Sequence, residues 1–173
     1  MNSGMTKLAL IIDHEACWGC MACEVACKLE NGVAPGLKFI RIGEEKVRER
    51  DGKPFFTYTV DTCRHGECEG TPCVGVCPTD AIALREDGIV VMDLDDCVGC
   101  DLCIPECPYE VIVRNDDLSV TQKCNMCVHR VDQGLIPACA DNICLAHCIH
   151  FGDPAEIRDK IEARRRVRER ETA

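Results

Sequence analysis

Apolar residues in this chain come in short runs separated by charged or small residues. β-formers alternate or cluster at residues 38–42 and 55–60, around a charged turn containing Asp51-Gly52, which predicts a hairpin or two edge strands. Residues 81–84 and 89–92, the second run preceded by Asp87-Gly88, predict two further short strands. A helix start is legible near the C-terminus, with Asp153 as cap, Pro154 in the first turn and Glu156 as an early acidic residue. Ile157 and Ile161 would share one face of that helix.

Composition makes this sparse pattern a problem of stability. Only 4% of the 173 residues are aromatic, so a large apolar core is not expected. A core-poor chain needs disulfides or metal to offset its conformational entropy, and 17 cysteines offer either. Residues 1–13 contain only the apolar run 8–12, which is too little for a secretory signal, and no twin-arginine pair stands near the start. No stretch approaches the roughly 20 apolar residues of a membrane span. The chain is therefore expected to be soluble and cytoplasmic, where thiols stay reduced and dense cysteines point to metal. A partner bearing a signal could still carry such a chain out folded.

Charge excludes one class of function. The net charge of −10 lacks the basic face that nucleic-acid binding requires. The exception is the C-terminal tail, with seven Lys and Arg against three Asp and Glu between Arg158 and Arg170. A solvated basic helix is the plainer reading of that tail, and docking onto an acidic patch of a partner is the other.

The cysteines carry the chemistry. Cys17, Cys20, Cys23 and Cys27 follow the spacing C-x2-C-x2-C-x3-C, and so do Cys97, Cys100, Cys103 and Cys107. This is the run of bacterial ferredoxins, in which a short loop wraps three thiolates around one 4Fe-4S cluster while the fourth cysteine ligates the other cluster of a pair. Cys63, Cys68, Cys73 and Cys77 form a looser group that ends in the same C-x3-C-P. The last group holds Cys124, Cys127, Cys139, Cys144 and Cys148. Four groups of four make sixteen ligands, the number that four cubane clusters require, and leave one cysteine over. Zinc would use C-x2-C pairs across a longer gap, which suits Cys124 and Cys127 taken alone but not the three-cysteine runs.

An internal repeat bears on the spare cysteine. Ile82 and Ile112 each lie five residues beyond the fourth ligand of their group, and Ile149 holds the same offset from Cys144, with Cys148 standing where Ala81 and Val111 stand. The repeat assigns Cys144 as ligand and Cys148 as the extra thiol. The C-x3-C spacing, which runs from Cys144 to Cys148, favours the reverse. Trp18, between two ligands, is read as packing against a cluster. His14, His65, His129, His147 and His150 are not needed to complete any ligand set, and Asp95, Asp96, Asp101 and Glu106 are read as solvated surface.

Four such groups, the middle pair inserted between the outer two, resemble the four-cluster iron-sulfur subunits of molybdenum and tungsten bis-pterin enzymes, such as dimethyl sulfoxide reductases and formate dehydrogenases. Polyferredoxins of tungsten aldehyde oxidoreductases and of related benzoyl-CoA-reducing complexes are similar. The resemblance covers about residues 8–152 and is most specific in the cysteine groups and in KCNMCVHRVDQGLIPAC followed by IHFGD. It implies an α+β fold of tandem bacterial-ferredoxin-like modules, one inserted in the other, loop-rich, with a C-terminal helix. Residues 1–59 and 116–152 would form the outer module, 60–115 the inserted one and 153–173 the charged helix.

The resemblance also implies crosswise ligation. Cys17, Cys20, Cys23 and Cys144 would hold one cluster, and Cys124, Cys127, Cys139 and Cys27 its neighbour. Cys63, Cys68, Cys73 and Cys107 would hold a third, and Cys97, Cys100, Cys103 and Cys77 the fourth. Two departures stand out: Gly66-Glu67 lengthen the second group, and the last group has one extra residue and no proline after its fourth cysteine. No nucleophile-base pair or phosphate loop is present, and a cluster enzyme with an open iron site would lack a ligand that this chain supplies. The expected role is a non-catalytic electron-transfer subunit with a catalytic molybdenum or tungsten bis-pterin partner, leaning to the aldehyde-oxidoreductase type, and a flavin subunit or ferredoxin as second redox partner. A free polyferredoxin shuttling between enzymes is the alternative.

Overall fold

The computed structural model describes residues 7–44, 47–50 and 52–172. Its elements in chain order are β1 (Ala9–Ile12), α1 (Ala22–Asn31), β2 (Ile40–Glu44), β3 (Arg48–Arg50), β4 (Lys53–Phe55), β5 (Tyr58–Thr62), α2 (Pro72–Gly75), β6 (Ile82–Leu84), β7 (Val90–Met92), β8 (Val113–Asn115), β9 (Val120–Gln122), α3 (Val128–Val131), β10 (Ile149–Gly152) and α4 (Pro154–Thr172). Every strand has three to five residues, and every sheet among the described residues is an antiparallel pair. The fold is thus mixed, loop-rich and closed by a C-terminal helix, as its sequence predicts. Strands this short cannot build a shared sheet, because the cysteine loops between them take up the intervening chain.

The two expected β-runs pair as β2 with β5, Ile40 facing Thr62 and Ile42 facing Val60, and β3 pairs with β4 inside them. Asp51 of the expected turn and residues 1–6 of the apolar-run reading lie outside the described residues. β6 and β7 form the hairpin predicted around Asp87-Gly88, with Ile82 opposite Met92. The run at residues 8–12 takes part in a strand that its sequence does not announce: β1 pairs with β10 across almost the whole chain, Ile12 facing Ile149.

Two apolar clusters lie beneath these pairs. One joins Ile82, Val90, Cys103 and Ile112, with Cys73, Cys77 and Cys107 packed against it. The larger collects Leu10, Phe39, Ile40, Val60, Ile89, Met126 and Ile149 together with seven buried cysteines. Cysteine sulfur here does the filling that aromatic rings do elsewhere.

α4 starts as expected, with Asp153 Oδ1 accepting from the amides of Ala155 and Glu156 at 2.9 and 3.1 Å. Ile157 and Ile161 are both buried, contributing about 2 kcal/mol each by removal from water. The basic face of the same helix is not wholly solvated, because part of it bonds within the chain. Arg165 pairs at 2.7 Å with the fully buried Asp13, and Arg164 donates to the carbonyls of His147 and Ala146. The tail thereby clamps β1 and β10 of its own chain. Among the described residues no helix is long and apolar enough to cross a membrane.

Candidate metal centres

The sixteen predicted cysteines gather into four sets. Cys63, Cys68, Cys73 and Cys107 line one hollow with an empty volume of about 330 Å³, together with His65, Tyr109 and Lys123. Cys77, Cys97, Cys100 and Cys103 line a second of about 300 Å³. Cys17, Cys20, Cys23, Cys144 and Cys148 line a third of about 300 Å³. Cys27 is packed with Cys124 and Cys127, and Cys139 with Cys124, Cys27 and Cys127, which makes the fourth set. In three sets, chain neighbours supply three thiols and a distant group supplies the last; in the first, Cys144 and Cys148 both join Cys17, Cys20 and Cys23.

Local structure explains the inward aim of the sulfurs. The amide two residues after the first cysteine of a loop turns back to it: Gly19 to Cys17 Sγ at 3.4 Å, His65 to Cys63 Sγ at 3.4 Å and Met126 to Cys124 Sγ at 3.3 Å. Such a turn needs left-handed backbone, seen at Gly19 (φ 68°), His65 (φ 50°) and Met126 (φ 56°). The tightest point is Gly99 (φ 64°), where an added Cβ would stand 2.1 Å from the carbonyl oxygen of Ser119. Gly99→Ala is expected to force the loop off that turn and to cost the set of Cys97, Cys100, Cys103 and Cys77 its iron, about four atoms per chain by iron analysis. Gly70→Ala, with equally left-handed backbone (φ 69°) but open space around its Cβ, is expected to keep full iron.

Electrostatics keeps most of the buried thiols in these sets protonated until a ligand displaces the proton. Burial, with the neighbouring Cys144, pushes the Cys23 thiol up to about 12, and burial with Cys124 and Cys127 does the same for Cys27. Burial drives Cys139 well above the ordinary thiol range. Such groups do not ionise unaided near neutral pH; a metal must displace their protons. Cys97 moves the other way: burial raises it, but amide hydrogen bonds from Gly99 and Thr121 and the Thr121 hydroxyl outweigh that and lower it.

Neighbour relations also set an order. Cys23 bears on both Cys27 and Cys139, so the set of Cys17, Cys20, Cys23 and Cys144 abuts the set of Cys27, Cys124, Cys127 and Cys139. Cys63 bears on Cys124, which joins that second set to the set of Cys63, Cys68, Cys73 and Cys107. Cys73, Cys77, Cys103 and Cys107 share one apolar cluster, joining this third set to the fourth, around Cys97 and Cys100. Each set thus adjoins the next.

Three observations test whether iron-sulfur clusters fit these sets. Soft thiolates are the donors such clusters take. Among the described residues no three Cys, His or carboxylate side chains converge tightly enough to hold a single ion; the cysteines ring hollows instead. His65, fully buried, accepts the Val90 amide on Nδ1 at 3.1 Å, so its Nε2 carries the proton, yet Nε2 has no partner within the protein. An acceptor in the adjoining hollow would satisfy it.

Cys144 and Cys148 both border the first hollow. Cys148 Sγ is 3.4 Å from Cys144 Sγ, and both are buried. Its counterparts in the repeat, Ala81 and Val111, are buried as well, and so are Ile82, Ile112 and Ile149. The inserted Gly66-Glu67 form a single 3-10 turn with His65, and the Gly66 amide donates to the Gly88 carbonyl at 2.7 Å. Trp18 borders the first hollow but is 64% exposed, so it rims the site without being enclosed by it.

The acidic residues of the third cysteine run largely face solvent, except that Asp101 receives Arg114 at 2.7 Å. Sequence reasoning gives no role to several polar residues at the sulfurs. Asn31 Nδ2 reaches Cys127 Sγ at 3.4 Å, and Thr121 Oγ1 lies 3.4 Å from Cys103 Sγ. The placements of His65 and Lys123 are likewise visible only in the structure. Only the position of Asn31, one turn beyond Cys27 on α1, hints at such contact.

Comparison with known proteins agrees with this chemistry. The family described as 4Fe-4S dicluster domain matches residues 54–154. The B subunit of tetrathionate reductase from Salmonella typhimurium is 38% identical over 85% of this chain, which spans 58% of that relative's length. Its counterpart in polysulfide reductase from Wolinella succinogenes is 38% identical over 90% of this chain and 81% of its own. The corresponding polypeptide of anaerobic dimethyl sulfoxide reductase from Escherichia coli is 36% identical, covering 90% and 78%.

Proposed function

Because the chain belongs to the 4Fe-4S dicluster family, among the iron-sulfur subunits of reductase complexes, we propose that it relays single electrons between a catalytic molybdenum subunit and a second redox partner. It is a cluster-bearing subunit and not a catalytic one, and its cofactors are four 4Fe-4S clusters. Such clusters, when bound, accept and release one electron at a time at potentials set by charge, hydrogen bonding and exposure.

The observation that supports the relay is the succession of four thiol sets, each adjoining the next. Cys17, Cys20, Cys23 and Cys144 would hold the first cluster, and Cys27, Cys124, Cys127 and Cys139 the second. Cys63, Cys68, Cys73 and Cys107 would hold the third, and Cys77, Cys97, Cys100 and Cys103 the fourth. The protein's part is to fix these ligands on rigid turns and to exclude water from the middle sets. In this reading residues 60–115 form a ferredoxin-like module nested inside an outer one made of 1–59 and 116–152, and the cross-chain pairing of β1 with β10 supports an outer module closed at its ends.

For the partner, the relatives named above favour a reductase of sulfur compounds or sulfoxides, and nothing in them supports the aldehyde-oxidoreductase lean of the sequence. A flavin subunit or ferredoxin at the far end remains part of the proposal, as does a cytoplasmic site of action. A free polyferredoxin has less behind it, since these relatives are named as components of reductases. Anaerobic purification should give about sixteen iron atoms per chain and a second, larger subunit that stays bound at high salt. A value near eight would end the four-cluster assignment, and a chain that always elutes alone would end the subunit assignment.

A further inference from the structure

Lys123 is a charge in an unusual place. Only 4% of it is exposed, and its ammonium donates to two backbone carbonyls, Val90 at 2.5 Å and Cys124 at 2.9 Å. Among the described residues no carboxylate pairs with it, so its acceptors are neutral dipoles. A buried cation with only neutral partners is costly unless anions stand nearby.

The nearby groups are thiols of two different sets. Lys123 lines the hollow of Cys63, Cys68, Cys73 and Cys107, and it is bonded in sequence to Cys124 of the neighbouring set. It counteracts the effect of burial on both Cys73 and Cys124. Val90 is held from both sides, its carbonyl by Lys123 and its amide by His65. The cation is thus fixed at the joint between the second and third sets, on an anchor that includes the buried imidazole facing that hollow.

We propose that Lys123 is the residue that sets the potentials of the two middle clusters, its buried positive charge favouring the reduced form on either side of the joint and easing electron transfer across it. Adding an electron to a thiolate-ligated cluster increases its negative charge, and a fixed cation in a water-poor site stabilises that state more than its oxidised parent. The hollows of the end sets have no lysine or arginine in their lining: the first is bordered by Trp18, Met21 and Ile42, and the fourth by Val98, Leu102 and Thr121. Arg64 also lines the third hollow, half-buried over the Tyr109 ring, and Arg114 donates to the Gly99 carbonyl beside the fourth set. What sets Lys123 apart is that, among the described residues, it is the buried cation, placed between two sets. Lys123 is a positioning and tuning residue and makes no bond to iron.

This inference rests on the four-cluster reading, and the iron content of the wild-type chain checks that reading separately. The test uses the full chain purified anaerobically, with redox titration followed by electron spin resonance. Lys123→Gln can keep donors to the carbonyls while removing the charge, Lys123→Met removes both, and Lys123→Arg keeps the charge. With full iron, the Gln and Met variants should lower the midpoints of two of the four clusters by at least tenfold in the reduction equilibrium, about 59 mV for one electron. The Arg variant and an exposed control, Lys160→Met, should stay near wild type. Loading of the Arg variant alone, with both neutral variants empty of iron, would equally assign the role to the charge. Unmoved midpoints in a fully loaded Gln variant would overturn the proposal, and so would loss of iron in all three substitutions at Lys123, which would leave a purely structural role.

Discussion

Stripping iron from the chain under anaerobic, reducing conditions is expected to unfold it rather than to leave an empty scaffold. Nine of the 28 buried apolar side chains among the described residues are cysteines, and the only buried aromatic ring among them belongs to Phe39. The strands are isolated antiparallel pairs, an arrangement only marginally stable in water without something packed against it. A domain's net stability is about 5–15 kcal/mol, and one structural metal site of the zinc-finger kind contributes a comparable amount. Losing four sites should exceed the whole margin. The far-UV dichroism of strands and helices, α4 included, should fall together with the visible cluster absorbance as a chelator acts, and protease should then cut throughout. α4 would go as well, because a helix this charged gains its stability from Ile157, Ile161 and Arg165 docked on the rest of the chain. Retention of the dichroism after the colour has gone would show that the apolar clusters suffice alone.

What can be read from the sequence follows the distance over which each constraint acts. The three-cysteine runs are local, so their spacing alone announces a loop around a cluster; Asp87-Gly88 and Asp153-Pro154 are local signals too, and both mark the elements expected of them. Crosswise partners are another matter. Nothing in the spacing near Cys27 says that it meets Cys124, and that expectation comes only from resemblance to a family. β1 escapes a local reading for the same reason, since its partner β10 lies at the other end of the described chain. Lys123 shows the limit most clearly: a lysine beside glutamine reads as surface, and only the tertiary placement of Val90 and of the third cysteine set buries it. The basic tail is half legible, with Ile157 and Ile161 marking the inner face but no signal pointing from Arg165 to Asp13.

The crosswise arrangement makes a sharp prediction about pairs of substitutions. Cys27 lies in the same helix as Cys23, one turn later, yet it neighbours Cys124 and Cys127, and Asn31 Nδ2 reaches the sulfurs of both Cys27 and Cys127, at 3.8 and 3.4 Å. Cys27→Ala is therefore expected to lower the iron content of the second set, by between one and four atoms of about sixteen, and to leave the first set loaded. Combining it with Cys124→Ala should cost little beyond the worse single change, because both remove ligands from one site. Combining it with Cys20→Ala should add the two losses, because the sites differ, and residues that share no partner combine additively. Iron analysis with spin-resonance counting of the remaining clusters reads both outcomes. If instead the change at Cys27 adds to that at Cys124 and not to that at Cys20, each cysteine run closes its own site and the nested arrangement falls with it. The crosswise outcome has a mechanical consequence as well. Since α1 then carries ligands of two clusters on successive turns, the spacing between the first two sets is fixed by the helix, and a relay needs that distance held constant more than it needs any particular side chain between them.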